Sequence, residues 1–177
     1  VSSTSNAYGL TETSSVATVI TGQDALDKPT SVGLPVPTVQ LKIVDSEGRT
    51  LGTGETGEVC ITGPILMAGY WNKPEATAEA IRDGWLHTGD VGHLDPEGFL
   101  FITDRKKDMI IRGGENIYCV EIEQRLVDHP DIADAAIIGV PHPELGEEVK
   151  AVVQLIEGAS LSEAEIRQWV ADGLAAF

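Results

Sequence analysis

Four short stretches carry residue types that could do chemistry. The first is Tyr8-Gly9-Leu10-Thr11-Glu12, which sets an aromatic ring, a flexible glycine, a hydroxyl and a carboxylate on one turn. Such a group could stack a base, approach a phosphate closely and hold a hard cation through oxygen. Taken alone, the segment reads more simply as the end of a Thr-rich strand. The second, His87-Thr88-Gly89-Asp90, puts a carboxylate after a glycine turn. That carboxylate suits either a turn cap or two hydrogen bonds from a vicinal diol such as a ribose. The third is Arg105, beyond Asp95-Pro96-Glu97-Gly98, whose fork matches phosphate or ribose oxygens. Its surroundings, Asp104-Arg105-Lys106-Lys107-Asp108, read equally as a solvated charged loop. The fourth is Gly113-Gly114, either a tight turn or a close backbone approach to a ligand.

Two other patterns mimic sites. Gly52-Thr53-Gly54-Glu55-Thr56-Gly57 fits the spacing of a dinucleotide fingerprint, but a strand rather than a helix follows, and Glu55 would repel phosphate. We read it as a loop. His87, His129 and His142 share no ligand spacing and read as exposed turn residues rather than a metal site.

The elements that must position these groups fall into two textures. Residues 1–103 read as a β-rich piece, a small barrel-like subdomain. Val39–Val44 and Glu58–Thr62 are strands, and Asp45-Ser46-Glu47-Gly48 is a turn. One short helix is expected from Pro74 to Ile81, since proline suits a first helical turn and Gly84 ends the segment. Residues 104–177 read as a compact α+β domain. With strands at Phe99–Thr103 and Met109–Arg112 flanking the charged turn, the order is β-β-α-β-β-α. The remaining elements are a helix over Val120–Val127, strands over Ile132–Val140 and Glu148–Ile156, and a helix opened by a Ser162–Glu165 capping box. The fold class is therefore α+β, with the boundary at the charged turn.

Composition bounds the function. With 28 acidic against 12 basic residues, the net charge is −16, which disfavours nucleic acid and anionic membranes as partners. Two cysteines are too few for a disulfide framework or a zinc site, so a reducing cytoplasm is the expected setting. No apolar run is long enough to span a membrane.

The order of the segments is more telling than any one of them. Tyr8-Gly9-Leu10-Thr11-Glu12 is followed by Gly57-Glu58-Val59-Cys60-Ile61-Thr62-Gly63-Pro64, then Gly69-Tyr70-Trp71-Asn72-Lys73-Pro74-Glu75-Ala76-Thr77. Asp83-Gly84-Trp85-Leu86-His87-Thr88-Gly89-Asp90, Asp104-Arg105-Lys106-Lys107-Asp108 and Gly114-Glu115-Asn116-Ile117-Tyr118 complete the series. This succession resembles the adenylate-forming superfamily of acyl-CoA synthetases, luciferases and peptide-synthetase adenylation domains, and the resemblance covers essentially the whole chain. It implies activation of a carboxylic acid by ATP, with magnesium, to an acyl-AMP, and then transfer to coenzyme A. By the same resemblance, Tyr8 would stack on adenine beside Gly9, Thr11 would contact the α-phosphate and Glu12 would hold magnesium. Asp90 would bind the ribose hydroxyls, assisted by Arg105, with Ile102 packed against the nucleoside. Lys107 would be the hinge between half-reactions, Gly114 the glycine beside the pantetheine tunnel, and Ser15 and Val16 part of the acyl pocket.

The charged turn and the stretch after it resemble the subgroup that activates fatty acids. A carrier-loading adenylation domain and a non-catalytic remnant of the fold are the competing readings. The resemblance also implies a phosphate loop upstream of Tyr8 and a lysine beyond Phe177. None of Lys28, Lys42, Lys73, Lys106, Lys107 and Lys150 falls in that lysine's context. The chain thus reads as cut at both ends and is expected not to form an adenylate by itself. Exposed strand edges predict self-association of the isolated chain.

Overall fold

A computed structural model describes residues 4–174. The chain divides into two compact units, Val1–Lys106 and Lys107–Phe177.

The first unit holds two antiparallel sheets. The smaller joins β1 (Ser5–Gly9), β2 (Val16–Thr21) and β3 (Leu34–Pro35). The larger runs β4 (Gln40–Val44), β5 (Gly57–Thr62), β7 (Trp85–Leu94), β6 (Ile81–Arg82), with β8 (Leu100–Arg105) also paired to β7, and it curls like a half barrel. The larger sheet is buried on both faces in places, as where β5 buries Val59, Cys60 and Ile61 in succession. Val59, Ile61, Ile43 and Leu100 point inward with Ala17 and Val39, and Tyr8, Leu10 and Ile102 pack half-buried against them. Each fully buried Ile or Leu contributes about 1.5–3 kcal/mol. Helix α1 (Gly22–Asp27) buries Ala25 against Ile20 and Phe99, and α2 (Pro74–Ala80) begins on its proline as expected.

Strand β7 corrects one expectation. Gly89 reads as a turn in the sequence, yet the strand runs through it from Trp85 to Leu94. Gly89 takes φ +74°, which glycine adopts without strain, and its carbonyl accepts the Lys106 N–H at 2.8 Å. A strand can therefore pass where a bulkier residue would have forced a break. His87 consequently lies on a strand with its side chain 14% exposed, not on an exposed turn. The glycine-spaced segment 52–57 is a loop, as expected, in which Glu55 Oε2 accepts the Gly52 N–H at 2.6 Å.

The second unit has the strand order β10-β9-β12-β11. Its elements are β9 (Ile110–Arg112), β10 (Glu115–Ile117), α3 (Cys119–Val127), β11 (Ile132–His142), β12 (Gly146–Leu155) and α4 (Glu163–Gly173). The β-β-α-β-β-α order holds, but with different members. The strand expected from Phe99 belongs to the first unit as β8, and the short β10 takes its place. Ile110, Ile117, Leu126, Ile132 and Ile137 form the core, with Cys119 beside them. The Ser162–Glu165 capping box opens α4, Ser162 Oγ accepting the Glu165 N–H at 3.3 Å. Trp169 Nε1 donates to the Arg125 carbonyl at 2.7 Å while the Arg125 guanidinium lies over the indole at 3.7 Å, which ties α4 to α3. Both cysteines are buried, and Cys119 Sγ donates to the Asp108 carbonyl at 2.8 Å. No helix among the described residues is long and apolar enough to cross a membrane.

Candidate active site

The β7–β8 hairpin builds the centre of the site. Asp95 fixes its turn: Oδ1 accepts the Glu97 and Phe99 N–H groups at 2.9 Å each, and Gly98 N–H returns to Asp95 O. From that turn the register runs Leu94↔Leu100, His93↔Phe101 and Gly92↔Ile102. It then shifts, so that Val91 faces Asp104 and Asp90 faces Arg105. Thr103 is the extra residue of a bulge. An unbroken ladder would set Asp90 opposite Asp104, carboxylate against carboxylate. The bulge instead brings Arg105 Nε to 3.4 Å from Asp90 Oδ1.

Tyr8 comes from the other sheet. Its hydroxyl donates to Asp90 Oδ2 at 2.5 Å. Burial and this bond push the phenol well above its ordinary value. Asp90 is itself buried, and its own N–H donates to Thr88 Oγ1 at 3.1 Å. Thr88 in turn donates to the Val59 carbonyl at 2.8 Å. Tyr8, Asp90 and Arg105 therefore converge, and Ile102 and Tyr8 line the same apolar cluster.

Next to Tyr8, the chain turns sharply. Thr11–Thr13 form a single 3-10 turn, held by the buried Thr13. The Thr13 hydroxyl accepts the Leu10 N–H at 2.9 Å and lies 2.7 Å from the Ser15 carbonyl. Gly9 is needed here, because a Cβ on it would sit 2.5 Å from Ser15 O. The turn presents Thr11 and Ser15 at the surface and leaves Glu12 half-buried, with Val16 42% exposed at the start of β2. Glu12 Oε1 accepts the Tyr70 hydroxyl at 2.7 Å, and this bond raises the Tyr70 phenol. Tyr70 has no role in the sequence reading, although the Gly69-Tyr70-Trp71 motif holds it. Among the described residues no group of three or more acidic, His or Cys side chains could cage a metal. A lone carboxylate such as Glu12 fits instead an ion shared with a ligand's phosphates.

Two of the residues singled out in the sequence lie in the second unit. Lys107 is exposed, its ammonium 4.0 Å from Asp108. Gly114 follows Gly113 in the β9–β10 turn, with φ of +91° and +61°, and Arg112 pairs with Glu115 across it. Two consecutive positive φ values are what a two-residue mirror-image hairpin turn demands.

Sequence reasoning gave no role to a further cluster, Glu58, His87 and Lys106. Glu58 Oε2 lies 3.1 Å from both His87 Nδ1 and Lys106 Nζ. All three stand inside quoted motifs, but their convergence depends on sheet register.

Comparison with known proteins gives this arrangement a family. Residues 2–71 match the model of the AMP-binding enzyme, and residues 121–177 that of the AMP-binding enzyme C-terminal domain. Asp90, Arg105, Lys107 and Gly114 lie between the two matched spans. The chain is 46% identical over 173 residues to a long-chain-fatty-acid–CoA ligase of Bacillus subtilis, covering 96% of this chain and 30% of the relative. It is 41% identical over 170 residues to a feruloyl-CoA synthase of an Amycolatopsis species, covering 96% of this chain and 35% of that one. Among solved structures, ATP-bound MatB from Rhodopseudomonas palustris superposes with a TM-score of 0.89 at 37% identity, over 98% of this chain and 34% of that one. The amide bond synthetase McbA from Marinactinospora thermotolerans gives 0.85 at 41% identity, over 96% and 35%. The chain thus spans about a third of the length of these relatives. With two successive parts of one enzyme type matched in order along it, the chain belongs to the AMP-binding enzyme family of adenylate-forming acyl-CoA ligases.

Proposed function

We propose that this chain supplies the nucleoside and magnesium side of an AMP-forming acid–thiol ligase. The observation that carries the reading is the convergence of Tyr8, Asp90 and Arg105. A buried carboxylate at the end of a hairpin, flanked by an aromatic ring and a guanidinium, is suited to a ribose diol with a base stacked nearby.

In the first half-reaction, a substrate carboxylate attacks the α-phosphorus of ATP and pyrophosphate leaves. Asp90 accepts the ribose hydroxyls, Arg105 adds donors at the same sugar, and Tyr8 covers the base with Gly9 beside it and Ile102 beneath. Thr11 lies against the α-phosphate. Glu12 holds magnesium, which neutralises charge on the phosphates when bound. In the second half-reaction a thiol displaces AMP, with Lys107 as the pivot and Gly114 beside the pantetheine arm of coenzyme A. Ser15 and Val16 border the acyl group.

The acid is of the fatty or similarly apolar class, a reading supported by the 46% identity to a long-chain-fatty-acid–CoA ligase. Relatives named for feruloyl and succinylbenzoyl substrates mark the range within the family.

Titration calorimetry with AMP on the 177-residue chain tests the nucleoside assignment. Two charge-assisted hydrogen bonds are at stake, so Asp90→Asn is expected to weaken AMP binding by about 100-fold. Equal affinity in Asp90→Asn and the wild type, or no binding by the wild type, would overturn the assignment.

A further inference from the structure

The Glu58–His87–Lys106 cluster has no part in the function proposed above. Glu58 lies in β5 with its side chain 10% exposed. Burial alone would lift its carboxyl, but the hydrogen bonds from His87 and Lys106 outweigh that and hold it below the usual glutamate range. An ionised carboxylate only accepts, so the His87 proton sits on Nδ1, the nitrogen that Cys60 Sγ also approaches at 3.5 Å.

The cluster brackets the two residues assigned to the ribose. His87 precedes Asp90 on β7, and Lys106 directly follows Arg105 and donates its N–H to Gly89 O. This stretch is also where the backbone ladder is least regular. The β7–β8 register shifts between Val91 and Gly92, and the β5–β7 register shifts between Glu58 and Cys60. Bulges leave residues unpaired and disrupt the ladder locally. One carboxylate on the neighbouring strand grips both chain segments there, through His87 on one side and Lys106 on the other.

We propose that Glu58 is a positioning residue for nucleotide binding, fixing the Asp90–Arg105 pair through His87 and Lys106. The inference rests on Asp90 as the ribose acceptor, so its test has one readout with AMP and one without. The probes are AMP affinity and amide hydrogen exchange at Lys106, both on the 177-residue chain. Glu58→Gln keeps the shape and removes the charge. It is expected to weaken AMP binding about ten-fold and to speed Lys106 amide exchange by a similar factor. Lys106→Met, at a side chain 52% exposed, should reproduce both effects and carries the test alone if Glu58→Gln does not fold. Lys106→Arg should restore near-wild-type values, which a general loss of packing would not allow.

Where the wild type binds AMP, unchanged affinity in Lys106→Met overturns the proposal, as does failure of Lys106→Arg to restore it. Where the wild type does not bind AMP, the ribose assignment falls, and exchange decides the positioning role. Unchanged Lys106 exchange then overturns the grip as well.

Discussion

Among the described residues, the buried polar and charged side chains, Thr13, Thr18, Ser31, Asp90 and Asp104, all lie in the first unit, whereas the second closes on Ile110, Ile117, Cys119, Leu126, Ile132 and Ile137. The first unit therefore uses internal hydrogen bonds to fix irregular backbone. Ser31 Oγ donates to Leu100 O at 2.8 Å and accepts the Gly33 N–H at 3.0 Å, and Thr18 donates to Val32 O at 2.6 Å. The second unit relies on apolar packing, joined by partly buried polar contacts such as the Ile137 N–H to Glu123 Oε1 at 2.8 Å. Shape held by buried hydrogen bonds is costly to disturb but exact in its geometry, and the Tyr8–Asp90–Arg105 corner is built on the half that has it.

Three measurements probe this contrast. The largest effect is expected from Leu126→Ala, which empties the second core at a fully buried position. Urea denaturation followed through Trp169 should give a loss of about 3 kcal/mol. A loss below about 1 kcal/mol would mean that this core collapses around the cavity and is not close-packed. Next, Ser31→Ala changes almost no volume yet strands the Gly33 N–H, while the Leu100 carbonyl keeps the Val32 N–H. It should cost about 2 kcal/mol, read through Trp85 of the first unit. A near-neutral result would break the contrast, because the hydroxyl would then be filling space only.

The smallest effect is a pH dependence. The Glu58 carboxyl is held below its ordinary value, so its contribution is present above about pH 4.3 and is lost as the pH falls through its lowered value. Denaturation midpoints from pH 7 to pH 3 should decline less in Glu58→Gln than in the wild type. Parallel declines would assign the acid sensitivity to other carboxylates, among them Asp95, which Lys28 and the Phe99 and Glu97 amides hold low against the opposing pull of burial.

Much of the fold was legible because local chemistry announced it. Pro74 marks the start of α2, Ser162 and Glu165 mark α4, and the turn residues from Asp95 to Gly98 separate β7 from β8. What stayed hidden was set by tertiary pairing. Glu115-Asn116-Ile117 is too short and polar to read as a strand, and becomes one only because β9 lies beside it. Gly22–Asp27 is a single short helix without a side-chain cap. The residues of the site could be listed from their motifs, but not their contacts. Tyr8 and Asp90 lie far apart in the chain, and Arg105 rather than Asp104 faces Asp90 only because Thr103 is bulged out. A bulge displaces a register by one residue and leaves no mark in the hydrophobic pattern.

The short bond from Tyr8 to Asp90 acts as a threshold for whatever enters. A solute offering one hydroxyl merely trades places with the phenol and gains no net hydrogen bond. Two adjacent hydroxyls reach further, because the second can meet the oxygen that faces Arg105. On the proposed reading the corner is a lock already turned against simple alcohols, and selectivity for a sugar edge is written into the protein's own hydrogen bonding.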